Sequence, residues 1–236
     1  MQAPIRRIIT QSTVDGPGNR VAVFLQGCNL RCAYCHNPET WHRPTLGEQG
    51  EWRWMSVDEV MSDIRRAVPF VRGITVSGGE CMLYPGFVES LFLACRQIGL
   101  HCLIDSNGTI PFSQFPTLMQ VTDGVMLDVK AWSPEVFRHL TNGEISTVKE
   151  NLQFLLRSHK LEEVRIVCLP GEVDIEDTLR GIAHVTGTDV RLRLIPFRPQ
   201  GVVGRLANCP SPTEEEMQRY QALWEKLVST IHPPKG

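Results

Sequence analysis

A marked excess of either charge is missing from this chain of 236 residues: Lys plus Arg number 24 and Asp plus Glu 26, a formal net charge of -2. With no global field, nothing attracts nucleic acid or an anionic membrane surface. No apolar run reaches the roughly 18 residues that a membrane span needs. The N-terminal MQAPIRRIITQSTVDG also lacks the apolar stretch of a signal peptide. These absences set the expectation of a cytoplasmic protein that meets neither membrane nor nucleic acid. Internal repeats and low-complexity tracts are lacking as well.

What is present is enough apolar material, 42% of residues in a 26.6 kDa chain, to bury a sizeable core. A single domain over residues 1–236 is expected. Apolar runs that read as buried strands recur at Arg20–Gln26, Gly73–Ser77, His101–Asp105, Gly124–Lys130, Glu163–Leu169 and Asp189–Pro196. Segments of helical period, such as Ser56–Val68 and Gly86–Ile98, lie between them, and Ser56 with Glu59 reads as a capping box. Strand alternating with helix implies a parallel α/β sheet, because a parallel neighbour needs a crossover. About six such units make a partial (β/α) barrel or an open doubly wound sheet. Residues 42–54 and 198–212 read as irregular, and a C-terminal helix is expected over about 212–231.

Eight cysteines in a cytosolic chain make poor disulfide partners, since thiols there are kept reduced and clustered ones bind metal or do chemistry. Three of them, Cys28, Cys32 and Cys35, fall in GCNLRCAYCH directly after the strand VAVFLQ. Three thiolates on one short loop can hold three irons of a cubane cluster and leave the fourth iron open. Zinc is the rival, but it prefers four ligands and no second CxxC is present; His36 adjoins Cys35 and makes a poor fourth. A thioredoxin-like reading of Cys32 and Cys35 leaves Cys28 unexplained. Cys81, Cys95, Cys102, Cys168 and Cys209 are scattered singly and read as buried small hydrophobes, with no auxiliary cluster.

The run CNLRCAYC, with Tyr34 before its last cysteine, resembles the CxxxCxxC motif of the radical S-adenosylmethionine (SAM) superfamily. The segments STVDGPGNR (12–20) and CHNPETW (35–41) look like the activating enzymes of pyruvate formate-lyase, of anaerobic ribonucleotide reductase and of related glycyl radical enzymes. SGGE (77–80), DSNG (105–108), MLDVK (126–130) and VRIVCLPG (164–171) extend the resemblance over about residues 8–200. It implies the partial (β/α)6 barrel of that superfamily. A branch of such activators often carries a ferredoxin-like insertion after CHNP, where this chain has only the short loop His42–Trp54.

The resemblance also assigns residues. Cys28, Cys32 and Cys35 would ligate a 4Fe-4S cluster, with Tyr34 and His36 beside them at the cofactor. Ser77, Gly78, Gly79 and Glu80 would meet the methionine amino group, and Lys130 its carboxylate. Ser106 would line the same site, and Asp105 and Asp128 would hold a monovalent cation. Arg165 matches an arginine of the activators, whereas Arg198 stands where they have histidine, and it cannot titrate near neutrality. Asp15, Gly16, Pro17, Gly18 and Arg20 would form a surface meeting the partner's glycine loop.

The activity implied is reductive cleavage of SAM, with one electron from flavodoxin or ferredoxin, to a 5′-deoxyadenosyl radical. That radical takes a glycine Cα hydrogen from a glycyl radical enzyme. Two other classes share part of the pattern: a small-molecule enzyme like 7-carboxy-7-deazaguanine synthase, and a non-catalytic iron-sulfur or electron-transfer protein. DGPGNR and CHNPETW favour the activators over the first, and assay for 5′-deoxyadenosine separates the second.

Overall fold

A computed structural model describes residues 1–187 and 190–231. Its strands are β1 (Gln2–Ser12), β2 (Arg20–Leu25), β3 (Arg53–Ser56), β4 (Gly73–Gly78), β5 (His101–Ser106), β6 (Gly124–Asp128), β7 (Leu161–Cys168) and β8 (Leu192–Pro196). Its helices are α1 (Val57–Ala67), α2 (Pro85–Gln97), α3 (Pro116–Val121), α4 (Pro134–Thr141), α5 (Ser146–Arg157), α6 (Ile175–Thr186) and α7 (Glu214–Ile231). The eight strands form one sheet in the order β3-β1-β2-β4-β5-β6-β7-β8, open at β3 and β8.

Each of the six strands expected from the sequence is present, with its ends shifted by a few residues at most; Asp189 lies outside the described residues. β1 and β3 are additions. β1 pairs antiparallel with β2 and with β3, so this end of the sheet is not built from β/α crossovers. Arg53 and Trp54, read as loop, belong to β3 because Pro4 and Ile5 of β1 pair with them. Neither strand carries the clean apolar alternation of a half-buried strand, which is why the pattern hid them.

The chain folds as two compact units. One comprises Met1–Asn29, Glu39–Ser106 and Phe112–Met126; the other comprises Leu30–Pro38, Asn107–Pro111 and the chain from Leu127 onward. In the first, β2 pairs parallel with β4, and β4 with β5, and their central residues Val21, Val23, Ile74, Val76, Leu103 and Ile104 are fully buried. α1 begins on the expected box: the Glu59 amide donates to Ser56 Oγ and the Ser56 amide to the Glu59 carboxylate. Its Val60, Met61 and Ile64 are buried, each contributing about 1.5–3 kcal/mol. In the second unit β7 and β8 pair in parallel, and α5 and α6 bury Leu152, Leu155, Leu179 and Ile182. Among the described residues, no helix is long and apolar enough to cross a membrane.

Arg20, fully buried at the start of β2, fixes the amino end of the parallel strands. Its guanidinium donates to Thr75 Oγ1 (2.9 Å), Ile74 O (2.6 Å), His101 O (2.9 Å) and Pro17 O (3.3 Å). Thr75 Oγ1 in turn donates to Asp15 O (2.6 Å). A Cβ on Gly73 would lie 2.1 Å from His101 O and 2.9 Å from the Arg20 guanidinium, so glycine makes the room. The lysine ammonium is a compact point charge without this planar fork. Arg20→Lys is therefore expected to lower unfolding stability by about 2–3 kcal/mol, since hydrogen bonds to charged groups contribute about 1.5–3 kcal/mol. Anaerobic chemical denaturation checks this, and a midpoint unchanged from wild type would remove Arg20 from this role.

Candidate active site

The carboxyl ends of the parallel strands carry most of the residues singled out above. In the first unit, β2 runs into Gln26, Gly27 and Cys28. Gln26, fully buried, donates through Nε2 to the carbonyls of Glu39 (2.8 Å) and His42 (2.9 Å). The Gly27 amide donates to Thr40 O (3.0 Å) and the Cys28 amide to Trp41 O (3.5 Å), so Glu39–His42 cradles the start of the cysteine loop. Gly27 has φ +107°, where a side chain would be strained.

The end of β4 packs on this turn backbone to backbone. The amide of Gly79 donates to Leu25 O (3.1 Å) and that of Glu80 to Gly27 O (2.8 Å). A Cβ at Gly79 would lie 2.2 Å from Gly27 O and 2.9 Å from Cys28 Cβ; one at Gly78, with φ +128°, would strike Leu25 backbone at 2.2 Å. Glu80 then drops inside, 1% exposed, accepting from Ser106 Oγ (2.9 Å) and the Met82 amide (2.9 Å). Ser77 Oγ donates to the Asp105 carboxylate (2.9 Å). Ser77, Gly78, Gly79, Glu80, Asp105 and Ser106 thus form one connected set with Cys28.

The second unit holds Cys32, Tyr34, Cys35 and His36. The amides of Arg31 and Ala33 donate to Thr141 O (2.8 Å) and Leu140 O (2.7 Å), so α4's last carbonyls, which lack helical partners, hold the cysteine loop. Asn142 closes α4 in the left-handed conformation at φ 57°. Tyr34 is buried, its hydroxyl without a hydrogen-bond partner among the described residues, and the Lys130 ammonium sits 5.8 Å from its ring centre. Burial pushes the Tyr34 phenol well up despite the nearby Lys130 charge. Burial alone would lower Lys130, but Asp128, at 3.0 Å, and the neighbouring Tyr34 and Cys32 outweigh it and hold the pKa well above the ordinary value. Lys130 is therefore a fixed cation. The exposed His36 sets its ring edge-on to Phe197 at 6.3 Å; that cover and the Arg198 charge hold its pKa below the usual histidine value.

Some residues fall elsewhere. Arg20 is not surface, so its place is behind the Asp15–Gly18 turn as support; Asp15, Gly16 and Pro17 are half-buried and Gly18 exposed. This turn sits at the amino end of β2, and Cys28 follows its carboxyl end, about 20 Å away for six residues at roughly 3.3 Å each. Arg198 is exposed. Cys81, Cys95, Cys102 and Cys168 are buried, with burial pushing Cys168 up to about 12, whereas Cys209 is only half-buried, a correction to the reading of all five as buried.

Two polar residues went unread. Glu163 pairs with Arg165 at 2.7 Å, both side chains 9% exposed, and their i, i+2 spacing on one strand face was the available signal. Asn151, buried on α5, donates to Gly108 O and Ile110 O, both at 2.8 Å, and so holds the segment after DSNG; a lone helical asparagine gave no cue.

None of the eight cysteines is in a disulfide. Among the described residues, no three His, Cys, Asp or Glu side chains are gathered to hold a metal ion. The donor chemistry nonetheless fits an iron-sulfur cluster: three soft thiols on one loop, Cys28 and Cys35 half-exposed, beside a glycine pair that leaves Cys28 room. Open α/β sheets place their ligands outside the carboxyl ends of their strands. An α/β sheet with three such thiols after its first parallel strand defines an iron-sulfur protein with a ligand site at that edge.

The Radical SAM superfamily model matches residues 22–181, and the chain belongs to that family. It is an enzyme of the radical SAM class, whose members use a 4Fe-4S cluster and SAM. A Haemophilus influenzae protein, named provisionally as a glycyl-radical enzyme activating enzyme, is 36% identical over 89% of each chain. The pyruvate formate-lyase 1-activating enzyme of Escherichia coli K12 is 31% identical over 91% of this chain and 92% of its own. Among solved structures, a domain of a pyruvate-formate lyase-activating enzyme from Bacteroides vulgatus shares the fold, with TM-score 0.55 and 19% identity over 66% of this chain and 94% of that one.

Because Gly79 touches Cys28 and Gly27, Gly79→Ala should displace the start of the cysteine loop. Overpacking of this kind costs typically 1–3 kcal/mol. The expected result is a lowered unfolding midpoint of the iron-free protein and less than half the wild-type iron per chain after anaerobic reconstitution. Full iron loading would show that the loop tolerates the added methyl.

Proposed function

We propose that this chain activates a glycyl radical enzyme, the whole of it working as one radical SAM domain in the cytoplasm. The carrying observation is the Cys28–Cys35 segment, backed by the Gly78–Gly79 turn and the buried Glu80, in a chain similar over nearly its whole length to proteins named as such activators. Cys28, Cys32 and Cys35 would hold the cluster, and the fourth iron, without a protein ligand, would take SAM. Bound there, cluster and SAM supply one electron and the carbon radical that removes a glycine Cα hydrogen. Flavodoxin or ferredoxin, both acidic carriers of one electron, would provide that electron.

The chain's own residues bind and orient. Glu80, held by Ser106 and the Met82 amide, offers a carboxylate for the methionine ammonium; Lys130, held charged by Asp128, offers a cation for its carboxylate. Tyr34 and His36 flank the cysteines in sequence, and Ser77, Arg165 and Arg198 would add contacts to the cofactor. Glu163 keeps Arg165 in place across one strand face. A monovalent cation would take Asp105 and Asp128, exchanging with the hydrogen bonds these carboxylates now accept from Ser77 and Lys130. The Asp15–Gly18 turn, with Arg20 behind it, would meet the partner enzyme.

Two measurements test this reading. Alanine at Cys28, Cys32 or Cys35 should abolish 5′-deoxyadenosine formation, and Cys209→Ala should leave iron content and rate near wild type. Wild-type protein mixed with candidate glycyl radical enzymes should produce the glycyl radical signal in electron paramagnetic resonance. Activity in a Cys32→Ala protein, or a rate undiminished by all three changes, would overturn the assignment.

Lys130→Met should weaken SAM binding roughly tenfold to a hundredfold, since a charge-assisted hydrogen bond contributes about 1.5–3 kcal/mol and about 1.4 kcal/mol is a decade. Iron content should stay near wild type. SAM titration of the reconstituted variant, followed by the cluster's paramagnetic signal, reads the affinity; an unchanged value would leave Arg198 as the next candidate for that contact.

A further inference from the structure

In the first unit, the edge of the sheet opens into a groove that the activity described above does not use. β3 pairs with β1 only from Gln2 to Ile5, and beyond that pairing a cavity of about 380 Å³ lies between Ile5–Ile8 of β1 and Gly50–Arg53. Its walls are rich in arginine. Arg6 is bound to Glu51 and lies 3.8 Å from Glu39, and Asp63, the other acid of the lining, is held by Arg66 at 3.2 Å. Glu59, whose pKa feels Arg53 weakly, is committed to the capping box of α1. Glu39 and Glu51 share the single Arg6 guanidinium and Asp63 pairs with Arg66, while Arg7 and Arg53 are exposed and have no carboxylate within ion-pair distance among the described residues. The lining itself carries Arg6, Arg7 and Arg53 against Glu51 and Asp63, a local excess of positive charge on a chain whose net charge is -2.

The same groove is tied to Cys28 through short polar links. Arg6 reaches Glu39, the Glu39 carbonyl accepts from Gln26, and the next two carbonyls, of Thr40 and Trp41, accept from Gly27 and Cys28. Trp52, in the groove wall, packs its ring 5.5 Å from that of His42, whose carbonyl also accepts from Gln26. A protein seated on this groove would touch Arg6 and Trp52, which contact Glu39 and His42 of the segment that cradles the first cysteine.

Resting on the activating-enzyme reading, we infer that the Arg7–Arg53 groove is the docking surface of the acidic one-electron carrier protein that reduces this enzyme. The reaction consumes one electron that no side chain here supplies, so a reduced carrier must approach near the cysteines. Positive charge on a face linked to Cys28 through the Glu39–Trp41 segment complements an acidic carrier. On docking, the carrier is oxidised by one electron and the enzyme's cluster reduced by one; no proton or group moves.

The test uses the reconstituted holoenzyme and the double variant Arg7→Glu/Arg53→Glu, with reduced flavodoxin as carrier and dithionite as a small reductant that needs no docking surface. The variant should show a KM for flavodoxin raised about tenfold, a milder rise in Arg7→Gln/Arg53→Gln, and wild-type 5′-deoxyadenosine formation with dithionite. Binding of oxidised flavodoxin, measured by calorimetry without turnover, should weaken in parallel and lose most of its salt dependence. Arg157→Glu, exposed on α5, should change none of these. A flavodoxin KM and affinity within twofold of wild type in both double variants would overturn the inference, as would an equal loss with dithionite, which would mean that the groove serves the site or the glycyl radical enzyme. Absence of dithionite-driven activity in the wild type would instead sink the activating-enzyme reading, leaving the binding measurement to judge the groove.

Discussion

The close approach of Gly78 and Gly79 to the end of β2 is the constraint on which the site depends. Two residues without side chains allow the Gly79 and Glu80 amides to reach Leu25 O and Gly27 O, which no bulkier pair could do at these separations. That contact sets where Cys28 begins its loop, and it turns Glu80 inward to Ser106. A methyl group at either position would have to displace backbone, and backbone paired in a sheet yields little. The glycines therefore act less through flexibility than through the volume they leave empty.

Elsewhere the site depends on buried charge kept in hand. Lys130 is held by Asp128, Arg165 by Glu163, and each pair lies on one strand or just beyond its end. An ion pair removed from water is costly unless its geometry and remaining hydrogen bonds are good, so such pairs are weak contributors to stability. Their value here is positional: each carboxylate restricts where its cation can go, and each cation keeps its charge. The fully buried Arg20 follows another rule, spreading its donors over carbonyls and a hydroxyl at the amino end of the strands. The two ends of β2 thus have separate duties, with a structural cation at one and the cysteine loop at the other.

Much of this could be read from the chain, because the signals are local. Cysteine spacing, a glycine pair followed by an acid, and the Ser56–Glu59 box each depend on neighbours only a few residues apart, and strands such as Val21–Leu25 declare themselves by continuous apolar character. β1 and β3 were not legible, since RRIIT and RWMS show no steady alternation and their assignment comes from pairing: RRIIT lies along β2, and RWMS along Gln2–Ile5 of β1. The hold of α4 on the cysteine loop was also hidden: Leu140 and Thr141 contribute carbonyls, and a carbonyl leaves no trace in residue type.

The sequence by itself determined the chemistry, because three thiols between positions 28 and 35 admit few other uses and side-chain identity is all that ligation requires. It also determined the alternation that makes a largely parallel sheet. Only the tertiary structure decided which charged residues are inside. Arg20, a turn residue by its motif, became a buried pin, while Arg7 and Arg53, two ordinary arginines 46 positions apart, came to face one groove. Burial and juxtaposition depend on strand pairing between distant segments, and a one-dimensional pattern records neither.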